Sequence, residues 1–230
     1  GFGWEVYAPN TTEGVNFRVF PTLDAVMAYE PAKPNPARIY PYENVKQDKD
    51  VVLRKYGHGT SSTICIDPEY DITWDLNGYT VLQESPTGNP LEACVRGKFT
   101  LKDSSAEQTG KWIAGACGVT NPESGWYGNG GPALYVLGKG EVILEGGTIS
   151  IARNATPDTA GNEIVNSGGL IRVDGGKLNV NGATLQVDDT YGVMAWGGEI
   201  EINAGTLVVD PTSSVPVYAS GYYEDVSVVV

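Results

Sequence analysis

The residues best suited to chemistry in this chain are aromatic. Its 230 residues include 13 tyrosines and 5 tryptophans, and two groups gather in sequence. Trp112, Trp126, Tyr127 and Tyr135 flank a turn-rich stretch, TNPESGWYGNGGP (120–132). Trp196, Tyr218, Tyr222 and Tyr223 gather near the C-terminal end, with Asp188 and Asp189 just before them. Flat rings stack on the apolar C–H faces of sugars, while hydroxyls and carboxylates take the sugar hydroxyls, so each group is a candidate glycan platform. The competing reading is structural, since tyrosine also suits exposed strand positions and some rings must cover the ends of a fold.

Cation binding is the second candidate chemistry. Glu145, Asp174 and Asn203 recur at one constant spacing (145 + 29 = 174, 174 + 29 = 203), beside Arg172. With Asp188 and Asp189 they supply the oxygen donors that calcium prefers; no cofactor is expected, and calcium is the one alternative. The plainer reading is a row of solvated corner residues, with Arg172 offsetting Asp174 and Glu201. Cys65, Cys94 and Cys117 form no Cys-x-x-Cys pair and His58 is the only histidine, which argues against a zinc or dithiol redox centre. Lys and Arg total 15 against 28 Asp and Glu, a net charge of -13 that argues against nucleic acid or anionic lipid as partner. No apolar run approaches the roughly 18 residues of a membrane-spanning helix, so no membrane insertion is expected.

These side chains need a rigid scaffold, and the scaffold is written as a repeat. EVILEGGTISI (141–151) aligns without gaps with LIRVDGGKLNV (170–180) and with EIEINAGTLVV (199–209), at the same constant spacing. Val142, Ile171 and Ile200 form one aliphatic column of that alignment, and Leu144, Val173 and Ile202 another. Gly147, Gly176 and Gly205 share a position, as do Gly140, Gly169 and Gly198. Two-residue alternation signals strands, and a period of this length signals a solenoid. No helical periodicity separates the units. The expected fold is therefore all-β: a single-stranded parallel β-helix whose coils of about 29 residues stack about 4.8 Å apart.

Upstream, DITWDLNGYTVL (71–82) and GKFTLKDSS (97–105) repeat the strand–corner–strand unit, placing Ile72 with Phe99 and Trp74 with Leu101. Cys65 and Cys94 stand one coil apart, close enough for a disulfide or for two stacked buried thiols. An oversized coil lies between Leu101 and Leu144. Near the start, Thr22 can cap a short helix over 22–30 whose Leu23, Val26 and Met27 share one face. Residues 1–60 are thus expected to form a cap region and 61–230 the β-helix, one domain overall. DVSVVV (225–230) begins a further coil, which predicts a fragment or an end that packs on another copy.

Three phrases, TWDLNGYT (73–80), FTLKDSS (99–105) and LEGGTISI (144–151), resemble right-handed parallel β-helices of the pectin-lyase-like superfamily. More narrowly they resemble glycine-rich surface and secreted proteins of Gram-positive gut bacteria, in which a TLDEA-like helix precedes the first coil, as TLDAV (22–26) does here. The resemblance covers about residues 20–210. It implies a right-handed coil, secretion or cell-surface display, and adhesion to a glycan or to a host or bacterial surface protein. The superfamily also includes polysaccharide lyases and polygalacturonases. GHG (57–59) resembles a polygalacturonase motif, yet the adjacent Asp188 and Asp189 follow His58 instead of preceding it, and no Arg-Ile-Lys segment follows. The expectation is therefore a non-catalytic, exported carbohydrate-binding or adhesive protein. The alternatives are an enzyme acting on acidic polysaccharide and a structural spacer.

Overall fold

The computed structural model describes residues 4–7, 17–29, 38–54, 61–85, 91–117, 132–151, 169–187, 191–209, 215–222 and 224–230. The chain opens with β1 (Trp4–Tyr7), β2 (Phe17–Phe20), α1 (Leu23–Ala28), β3 (Arg38–Pro41), β4 (Val45–Lys46) and β5 (Val51–Arg54). It continues with β6 (Ser61–Ile66), β7 (Asp71–Asp75), β8 (Thr80–Ser85), β9 (Leu91–Val95), β10 (Lys98–Lys102) and β11 (Lys111–Cys117). Then come β12 (Leu134–Leu137), β13 (Glu141–Leu144), β14 (Thr148–Ile151), β15 (Ile171–Val187), β16 (Tyr191–Val209), β17 (Val215–Ala219) and β18 (Val226–Val229).

From β3 onward the described pairings are parallel and fall into three columns. The first runs β3, β6, β9, β12, β15, β16, β17, and the second β4, β7, β10, β13, β15, β16, β18. The third runs β5, β8, β11, β14, β15, β16, so β15 and β16 pass through all three. This mostly parallel sheet curls through 284°, a half-barrel compatible with a β-helix-like fold. At the start, β1 pairs antiparallel with both β2 and β3. Thr22 caps α1 by accepting from the Ala25 N–H at 3.1 Å, and Val26 enters the core while Leu23 and Met27 pack at its margin.

The register corrects the constant-period stack. Val142 pairs with Leu178 and Leu178 with Ile200, whereas Ile171 pairs with Leu134 and Val193 on the first column. A long step (142 to 178) is thus followed by a short one (178 to 200). Together they span two of the expected periods, so Val142 and Ile200 share a column two rungs apart and Ile171 does not. Strand–corner–strand units are chemically alike on every side, so self-similarity alone cannot say which side a unit occupies. The same holds for the glycines. A Cβ on Gly176 would lie 2.3 Å from the Gly140 oxygen, and one on Gly198 2.5 Å from the Gly176 oxygen, which stacks Gly140, Gly176 and Gly198. Both Gly176 and Gly198 have positive φ, +80° and +98°, so conformation and contact each require glycine there. Upstream, Ile72 pairs with Phe99, Trp74 with Leu101 and Cys65 with Cys94, as expected.

Two side-chain systems hold the rungs together. Inside, Trp74, Phe99 and Trp112 are fully buried, with edge contacts at 5.3 and 5.8 Å between ring centroids. The Trp74 indole N–H donates to Gln47 Oε1 at 3.1 Å. At the corner after the second column, Asp75 and Asp103 are buried and hydrogen-bonded to backbone N–H groups. Asp75 Oδ1 accepts from the Asn77 and Ser104 N–H groups. Asp103 Oδ1 accepts from Gly78 and Ser105, and its Oδ2 from Gly110. Each carboxylate therefore bonds its own turn and the neighbouring rung, as a corner carboxylate with unpaired N–H groups around it should. Burial opposes their ionisation, but the hydrogen bonds from these turns outweigh it and hold both below the usual carboxylate range.

Candidate functional site

The aromatic residues that the sequence divides into two groups meet in part on the outside of the first column. Along β12, Leu134 and Val136 point into the core, so Tyr135 points out. The ladder places Tyr135 beside Arg172, Arg172 beside Met194, and Met194 beside Tyr218. Trp196 arrives by a bulge. Val173 pairs with Ala195 and Asp174 with Gly197, which leaves Trp196 as the extra residue of β16. A bulge re-aims a side chain, and here it brings the indole over a neighbouring guanidinium.

The result is a compact cluster. Arg172 Cζ lies 4.1 Å from the Trp196 ring centroid and 5.1 Å from that of Tyr135. Arg172 Nε donates to both oxygens of Asp174, at 3.1 and 3.0 Å, and Nη2 lies 2.8 Å from Oδ2. The Tyr135 hydroxyl donates to the same Oδ2 at 2.5 Å. The Asp174 side chain is only 7% exposed and that of Arg172 22%. Outside this layer, Tyr222 stands 6.0 Å from Trp196 and is 75% exposed. Tyr218, also exposed, packs 5.2 Å from Tyr191. The two open tyrosines thus sit beside a locked inner layer.

Where the first column turns into the second, the chain runs directly from these aromatics into a groove of ≈ 530 Å³. Asp174 precedes Gly175 and Gly176, Trp196 precedes Gly197 and Gly198, and Tyr222 precedes Glu224 and Asp225. Gly138, Gly176 and Gly198 help line the groove, with Lys139, Lys177, Glu199, Glu224 and Asp225 as its charged residues. Lys177 Nζ lies 3.1 Å from Glu201 Oε1 and 3.7 Å from Glu199 Oε2. Its hydrogen bond to Glu201 holds the Lys177 ammonium above its usual range.

Several sequence-derived candidates fall elsewhere. Trp112 is fully buried between Trp74 and Phe99, so its ring presents no face to a ligand. Trp126, Tyr127, Asp188, Asp189, Tyr223 and His58 lie outside the described residues. Glu145, Asp174 and Asn203 form no column. Leu144 pairs with Val180, which sets Glu145 near Asn181, and Asn181 accepts from the Asn203 amide at 3.1 Å. Asp174 sits at a different corner, engaged by Arg172 and Tyr135. Among the described residues no group of three or more His, Cys, Asp or Glu is placed to hold a metal ion. Cys65 and Cys94 are buried ladder partners without a disulfide. Arg172, the residue that joins the two aromatic groups, is legible in the sequence only as a neighbour of acids. A shorter shift, which sets GGKLNVNGATLQV (175–187) over GGEIEINAGTLVV (197–209), would have placed it beside the C-terminal aromatics.

Comparison of the chain with family models, with curated proteins and with solved structures finds no match. Among the described residues, no helix is long and apolar enough to cross a membrane.

Proposed function

We propose that this chain is a non-catalytic, exported carbohydrate-binding protein built as a closed, right-handed parallel β-helix and displayed at a cell surface. One observation carries the binding reading: exposed Tyr222 lies against a locked Tyr135–Arg172–Trp196 layer, exposed Tyr218 stands on the next rung, and the chain leads from this layer into a groove. Stacking on a sugar needs rings that neither collapse inward nor lose much freedom on binding, and a rung-supported shelf supplies both. A glycan array tests it. The wild-type chain should bind at least one glycan class, and Tyr222→Ala should weaken that binding without changing the fold. Absence of binding to every glycan would favour the spacer reading.

New unsaturated or reducing ends after incubation with polygalacturonate, with or without calcium, would overturn the non-catalytic part. Antibody labelling of intact source cells tests display, and label confined to permeabilised cells would refute it. End-to-end self-association is the further contact in this reading, through the apolar Leu207, Val208, Val228 and Val229 exposed on the last rungs. Sedimentation at rising protein concentration should then show a larger species, and a strict monomer would refute it.

A further inference from the structure

We infer that the groove and its aromatic shelf select neutral glycans and reject uronate or sulfate polymers. This inference rests on the carbohydrate-binding reading above and adds the chemical class of ligand. A polyanion-binding site needs a cation with open hydrogen-bonding edges, above all an arginine that can present two parallel N–H groups to a carboxylate or sulfate. The arginine of this cluster already commits its Nε–Nη2 edge in that way. Both oxygens of Asp174 accept from Arg172, and Trp196 and Tyr135 lie against the guanidinium. Its charge is cancelled at contact distance by a carboxylate that is itself almost wholly buried.

The groove has the same bias. Of its two lysines, Lys177 is held by Glu201 and Glu199. Glu224 and Asp225, both exposed, stand in the same lining, where Lys139 is the other cation. Carboxylates and phenols accept hydrogen bonds from sugar hydroxyls, which neutral glycans offer in abundance. Carboxylates also repel further anions, and the chain's net charge of -13 adds to that repulsion at long range.

The test is affinity electrophoresis of the full chain through gels containing soluble polysaccharides in matched pairs. Arabinogalactan, galactomannan, xyloglucan and mixed-linkage β-glucan are each run beside their carboxymethylated forms, and methyl-esterified homogalacturonan beside polygalacturonate. The expected result is retardation by at least one neutral member, with the charged member of that pair at least about tenfold weaker. Preferential retardation by the charged members would overturn the inference and leave carbohydrate binding intact. Retardation by none would overturn the carbohydrate reading itself, and the inference with it. Asp174→Asn, checked for an unchanged circular dichroism spectrum, releases the Arg172 charge and should move the ratio toward the charged members. An unchanged ratio in that folded variant would overturn the assignment of selectivity to the ion pair. Should the variant not fold, added salt in the wild-type gels serves instead. Salt should narrow the gap within a pair by weakening the binding penalty on the charged member, and a gap that widens with salt would overturn the inference.

Discussion

Asp103→Asn is the sharpest probe of how the rungs are joined. Asp103 is 4% exposed and accepts three backbone N–H bonds, from Gly78 at 2.9 Å, Ser105 at 3.0 Å and Gly110 at 2.6 Å. Asparagine keeps one oxygen, which can serve Gly78 and Ser105. Its amide then faces the buried Gly110 N–H donor to donor. Losing a charge-assisted bond and stranding a buried donor costs about 3 kcal/mol. In a chain of this length that lowers Tm by about 6–12 °C. The pH dependence follows from the depressed pKa of the carboxyl. Its folded value lies below its unfolded value, so its stabilising contribution is complete above about pH 4 and is lost as pH falls through the folded value. Urea unfolding of wild type and variant at pH 7 should show the full gap, and at about pH 2.5 a smaller one. A variant as stable as wild type at pH 7, or a gap that does not shrink in acid, would refute this account of the corner.

Other perturbations separate core from surface. Trp112→Ala should destabilise the fold by about 3–5 kcal/mol, as a large buried side chain does, and Tyr222→Ala by less than about 0.5 kcal/mol. Equal costs in urea unfolding would contradict the placement of the two rings. Gly198→Ala forces a Cβ onto the Gly176 oxygen at positive φ and should cost at least about 2 kcal/mol, read as a lower unfolding midpoint. Cys65 and Cys94 should resist iodoacetamide in the native state and react once unfolded, as peptide mapping would read; rapid native labelling would show that they are not buried.

The strands and corners are legible in the sequence because alternation and glycine punctuation are local signals. Their grouping into rungs is legible only where the rungs keep similar lengths. Ile72 meets Phe99 and Cys65 meets Cys94 because the early rungs are nearly equal in length. From Leu144 to Val180 the step is long and from Val180 to Ile202 it is short, so one fixed period misplaces the middle rung. The charges carry a clue that aliphatic columns do not. Lys177 lies between Glu141 and Glu199 on the ladder, alternating in sign, whereas the fixed period would set Glu141 and Glu199 on either side of Leu170. The site is legible as aromatic content and not as geometry. Tyr135 alternates with Leu134 and Val136, so its outward direction follows from local pattern. Trp112 and Ile113 are adjacent and both apolar, so alternation alone does not choose which of the two turns inward. The placement of Trp196 depends on a bulge, which no alternation predicts.

Thiol crosslinking tests the rung assignment most directly. Thr184 and Thr206 are ladder partners, whereas Lys177, one full sequence period before Thr206, lies on another column. Thr184→Cys with Thr206→Cys should be bridged by dibromobimane, with the bridged peptides identified by mass spectrometry. Lys177→Cys with Thr206→Cys should not be bridged. Efficient bridging of the second pair and not the first would contradict the three-column stack.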